Sequence, residues 1–79
     1  MKLNPLFSYS SNAEYSSQEL AIESEMFRNG TILDLDDQLK GLIEKGGFGL
    51  VTTTKALKLD KLLMVCSGED STVFLMEDT

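Results

Sequence analysis

The apolar residues of this chain follow different periods in different stretches. The clearest helical stretch is at about 35 to 45. Leu35, Leu39, Leu42 and Ile43 recur at the i, i+4, i+7, i+8 spacing of one helix face. Asp34 precedes them as a candidate N-cap. Asp36 and Asp37 put negative charge in the first turn, where the helix dipole favours it. Lys45 falls in the last turn, and Gly46-Gly47 offers a left-handed stop.

Residues 18 to 35 fit two patterns. Ser16 and Glu19 have the spacing of a capping box, which points to a helix ended by Asn29-Gly30. On a helical wheel, however, Leu20, Ile22, Met26 and Phe27 spread over a wide arc that includes Glu23. On a strand, Leu20, Ile22, Ser24 and Met26 share one face, while Glu19, Ala21, Glu23, Glu25 and Phe27 share the other. The strand separates the two classes more cleanly. Asn29-Gly30 then suits a type I′ turn. The favoured expectation is a hairpin over 19 to 35 with Met26 opposite Leu33 and Glu25 opposite Asp34. The helix is the alternative.

Beyond Gly47 the pattern becomes β. Phe48 to Thr54 reads as a strand, and Lys55 to Asp60 as a basic connector. Lys61 to Ser67 and Thr72 to Glu77 read as a hairpin around Gly68-Glu69-Asp70-Ser71. Residues 1 to 17 are polar and serine-rich; they are read as a loose terminus or an edge strand. The expected fold is α+β in a single domain over 1 to 79. It is a small antiparallel sheet of four to six strands with one principal helix at about 35 to 45 on one face.

That fold leaves a surface to account for. Both faces of the C-terminal hairpin are apolar, and one short helix covers only one of them. Leu62, Met64, Phe74 and Met76 are therefore candidates for a face that meets a protein partner or a second copy.

Charge is sorted into blocks. Asn12 to Asp37 holds seven carboxylates and one base, Arg28. Gln38 to Lys61 holds five lysines against Glu44 and Asp60, and Leu62 to Thr79 has four carboxylates and no base. The net charge of -6 argues against direct binding to nucleic acid or anionic membranes. If 19 to 35 is a hairpin, Glu19, Glu23, Glu25 and Asp34 project from one face. Same-face positions on a strand lie ~7 Å apart, similar to phosphates along a nucleic-acid strand. That makes these four residues candidates for a nucleic-acid-like surface that occupies a basic groove on another protein. The competing reading is a solvated face that keeps the protein soluble. Lys55, Lys58 and Lys61 are read as an edge-protecting connector.

Catalytic and ligand chemistry finds little support. The chain has no histidine, so it lacks the usual base near neutral pH and the commonest metal ligand. Asp34-Leu35-Asp36-Asp37 does not continue as a calcium loop, because Leu39 and Lys45 stand where such a loop needs glycine and glutamate. Gly46-Gly47-Phe48-Gly49 follows a helix rather than opening one, which is wrong for a phosphate loop. Cys66 sits in a strand with no activating base and reads as structural. With a single cysteine and no secretory apolar run, the expected location is the cytoplasm. No cofactor or metal is expected.

The expected function is a non-enzymatic, acidic protein-interaction module. An inhibitor of phage or mobile-element type, bound to a host nucleic-acid-binding protein, is its sharper form. A structural protein that self-assembles through the second sheet face is the alternative.

Overall fold

A computed structural model of the chain describes residues 2–10, 14–48 and 55–78. In order, the elements are β1 (Lys2–Tyr9), α1 (Ser17–Asn29), β2 (Thr31–Leu33), α2 (Asp37–Lys45), β3 (Lys55–Leu59), β4 (Leu62–Ser67) and β5 (Asp70–Glu77). The strands form one antiparallel sheet in the order β1-β5-β4-β3-β2. The fold is thus the expected α+β type. The N-terminal segment supplies an edge strand. The strand expected over 48 to 54 falls, from residue 49 on, outside the described residues.

Strand order dictates the course of α1. β1 and β2 lie at opposite edges, and the chain must pass from one to the other over a sheet face. Four strand spacings amount to about 19 Å. A helix of 13 residues spans about 20 Å. The helix has the reach for that crossing, which a local hairpin would not supply. Residues 17 to 29 are accordingly helical, and the hairpin expected over 19 to 35 is not formed. The capping box was the true signal. Ser16 Oγ accepts from the Glu19 N–H at 3.2 Å, and Glu19 Oε2 accepts from the Ser16 N–H at 3.3 Å. Gly30 is not in a type I′ turn. Its backbone is extended, with φ -70° and ψ 148°, and its N–H donates to the Met26 carbonyl at 2.7 Å. A side chain here would run into that carbonyl, so glycine is required for closeness rather than for left-handed backbone.

α2 matches the expected principal helix, with one shift. Asp36, not Asp34, is its N-cap, and its Oδ1 accepts from the Leu39 N–H at 2.8 Å. Gly47 closes the helix at φ +81°.

Each helix covers one face of the sheet. Ile43 of α2 packs with Leu3, Ala56, Leu63, Val65 and Phe74, joined by Leu39, Leu42 and Phe48. The Phe48 ring meets Phe74 edge-on, with centroids 4.9 Å apart. Met26 of α1 packs with Leu57, Met64 and Val73 on the other face, joined by Ile22 and Phe7. The layers run helix, sheet, helix. The second face of the sheet is therefore covered from within the chain.

A bulge lets β1 serve both cores. The register steps between Pro5 and Phe7, leaving Leu6 as the extra residue. Leu3 packs on the α2 side and Phe7 on the α1 side, although uninterrupted alternation would place both together.

The segment read as a basic connector is a strand. Lys55 to Leu59 is β3, and Asp60-Lys61 is its turn into β4. Asp60 adopts φ +54°, which aspartate tolerates better than most residues. The β4–β5 turn is also shorter than expected. Ser67 pairs with Asp70, so Gly68-Glu69 alone form the loop, with Gly68 at φ +61°.

If α1 is held by its cap and by Met26, both should register in urea unfolding. Ser16→Ala is expected to cost about 1 kcal/mol. Met26→Ala is expected to cost about 2 to 5 kcal/mol. A Met26→Ala protein as stable as the parent would mean that α1 does not pack on the sheet.

Candidate interaction surface

The four acidic candidates do not share a face. Glu19 and Glu23 are four apart on α1 and lie on one side of it. Glu25 is two residues from Glu23, so it points to nearly the opposite side. Asp34 stands exposed in the link between β2 and α2. The regular strand spacing expected for a nucleic-acid-like ladder is absent, because the segment is a helix. Glu19 is also engaged in the cap of α1.

The apolar candidates are divided in the same way. The two-residue turn pairs Leu62 with Leu75, Leu63 with Phe74, and Met64 with Val73. Leu62 and Met64 therefore face α1, while Phe74 and Met76 face α2. Met64 and Phe74 are buried. Leu62 and Met76 are half-buried against the two cores. These four residues build the interior on two sides and present no common surface.

The lysine group is also split. Lys55 and Lys58 sit three apart on β3 and so leave opposite faces of the sheet. A cleft of about 540 Å³ at the β3–β4 turn is lined by Lys58, Asp60, Lys61, Leu75, Met76 and Glu77, among others. Its charges are mixed, so it favours neither sign of ligand. Among the described residues, no group of three His, Cys, Asp or Glu side chains could hold a metal ion. No helix among them is long and apolar enough to cross a membrane.

The surface that sequence reasoning missed lies on α1 and β2. Leu20, Phe27 and Ile32 are large apolar residues with 46%, 50% and 67% of their surface exposed. Leu20 and Phe27 are seven apart and so stand on one side of α1, with Glu23 and Ser24 between them. Ile22 and Met26, four apart, make the separate stripe that meets the sheet. Lys55 Nζ lies 5.4 Å from the centre of the Phe27 ring, a cation–π arrangement. The signal was present in the sequence: four apolar residues on one helix exceed what a single buried stripe uses.

The foot of α1 has its own electrostatics. The Tyr15 hydroxyl donates to the Ser10 carbonyl. Desolvation raises the Tyr15 pKa above its ordinary 10.0, and the charges of Glu23 and then Glu19 add to this. A raised pKa means that the folded state holds the phenolic proton more firmly than the unfolded state does. The resulting stabilisation is present below about pH 10 and is lost as the pH rises through the folded-state value.

No protein family, curated protein or solved structure matches this chain. The surface is therefore read from its own geometry.

The Tyr15 ring resonances, followed by NMR from pH 8 to 12, should titrate at lower pH in Glu23→Gln than in the parent. An unmoved midpoint would remove Glu23 as a cause of the shift.

Proposed function

We propose that the chain is a non-enzymatic protein-interaction module that docks on a protein partner through the outer side of α1. The observation that carries this reading is the stripe of Leu20 and Phe27, which lies outside the core that α1 makes with the sheet and leaves about half of each side chain exposed. Burial of the exposed half of each side chain against a partner gains about 1 kcal/mol apiece, roughly half the value for full burial. Aromatic residues in such a position are common binding anchors.

Charge narrows the partner class. Glu23 lies within the stripe, Glu25 lies on the same helix, and the whole chain carries -6. A partner with an apolar pocket set in a basic surface would be drawn in by the charges and retained by Leu20 and Phe27. A nucleic-acid-binding protein has such a surface, and an inhibitor that occupies its groove is the sharper form of this reading. Self-assembly through the second face of the sheet loses its support, because α1 fills that face.

Capture from native lysate with the tagged chain tests this at low and high salt. The parent should retain a defined protein, with less retained as salt rises. Leu20→Ser with Phe27→Ser should reduce capture about tenfold or more. Glu23→Lys should weaken it more than Glu25→Lys. Equal capture by the parent and the double serine variant would sink the proposal.

A further inference from the structure

Asn29-Gly30 resembles a hairpin turn in sequence, but the fold uses it as the joint between α1 and β2. Of the chain's three asparagines, Asn4 precedes Pro5, Asn12 precedes Ala13, and only Asn29 precedes a glycine. That neighbour matters chemically. The backbone nitrogen after an asparagine can attack the side-chain amide carbon, and glycine has no side chain to hinder the attack. The fold cannot dispense with this glycine, because a Cβ at Gly30 would collide with the Met26 carbonyl. A labile pair is thus fixed at the joint, and Asn29 is exposed to water.

The same geometry restrains the reaction. The Gly30 N–H donates to the Met26 carbonyl at 2.7 Å, so the proton of the attacking nitrogen is engaged. That bond closes the last turn of α1 around Asn29. A helical ψ of about -42° turns the Gly30 nitrogen away from the Asn29 side chain. Ring closure needs the two on the same side of the Cα–C bond.

We propose that Asn29 is a site of spontaneous deamidation, held closed by the end of α1 and released when that turn opens. In the open chain the Gly30 nitrogen gives its proton to hydroxide and bonds to Asn29 Cγ. The bond from Cγ to Nδ2 breaks, and Nδ2 leaves as ammonia. Water then opens the five-membered imide at either carbonyl, giving aspartate or isoaspartate. Isoaspartate runs the main chain through Cβ and Cγ. It adds one carbon just before Thr31, which pairs with Lys58 in the sheet. Either product also puts a carboxylate at the C-terminal end of α1, where the helix dipole disfavours it. Loss of ammonia makes the change a lasting record of opening, and the altered chain closes less well. This goes beyond the partner reading and does not use the Leu20 and Phe27 stripe.

The full chain, incubated at mildly alkaline pH in native buffer and in guanidinium chloride, tests the proposal. Peptide mass spectrometry follows Asn29, and released ammonia is measured alongside. Folded chain should deamidate at Asn29 about tenfold or more slowly than unfolded chain, because only opened molecules react. Met26→Ala, which loosens α1, should react faster than the parent in native buffer. Asn29→Gln should remove the early release of ammonia in denaturant. Circular dichroism verifies folding, and the parent compared in the two solvents decides the matter even if Met26→Ala does not fold. Equal rates in buffer and denaturant overturn the proposal. So does an unfolded chain in which Asn29 stays intact, or a folded Met26→Ala protein no faster than the parent. Each of these failures leaves capture through Leu20 and Phe27, and so the proposed function, untouched.

Discussion

The fold depends on covering a sheet that is apolar on both sides. β4 sends Leu63 and Val65 one way and Leu62, Met64 and Cys66 the other. A short chain has few ways to bury both sets. This one uses a helix for each. α2 closes one side with Ile43, and α1 closes the other with Met26. The remaining features follow from that arrangement. The bulge at Leu6 lets one edge strand contribute to both cores. Gly30 allows the backbone to turn tightly off α1 and into β2.

Because α1 must cross the sheet, it is a connector as well as a cover. Its sheet-facing stripe is narrow, consisting mainly of Ile22 and Met26. Leu20 and Phe27 remain on the outer side, and Ile32 lies at the edge that the crossing reaches. The exposed apolar residues thus gather where the chain leaves one edge of the sheet and arrives at the other. The same geometry scatters the carboxylates of residues 19 to 34. Side chains that would line up along a strand point around a helix instead, so the acidic character acts as a general field rather than a patterned face.

How much could be read from sequence varied with the locality of the signal. α2 was legible because its whole specification lies within a dozen residues: an aspartate cap, the i, i+4 apolar series, a final lysine and a left-handed glycine. β4 and β5 were legible as two short apolar runs on either side of a glycine-containing turn. α1 was ambiguous because alternation and Asn29-Gly30 imitate a hairpin, and only the Ser16–Glu19 box spoke clearly for the helix. β3 was hidden because Lys55 and Lys58 mark both of its faces as polar, while Ala56 and Leu57 fill the two cores. Leu62, Met64, Phe74 and Met76 were rightly seen as apolar but wrongly grouped. The pairing of even with odd positions across a two-residue turn is a matter of register, which composition does not reveal.

The sequence by itself determined the α+β class, a helix at about 35 to 45, the acidic character and the lack of histidine chemistry. These follow from periodicity and composition, which are local properties. Only the tertiary structure decided that α1 is a helix, that the second face is covered from within, and that Leu20, Phe27 and Ile32 remain outside. The reason is physical. Whether an apolar side chain is buried depends on strand order and on the path that joins the two edges, and neither is encoded within any short stretch of the chain.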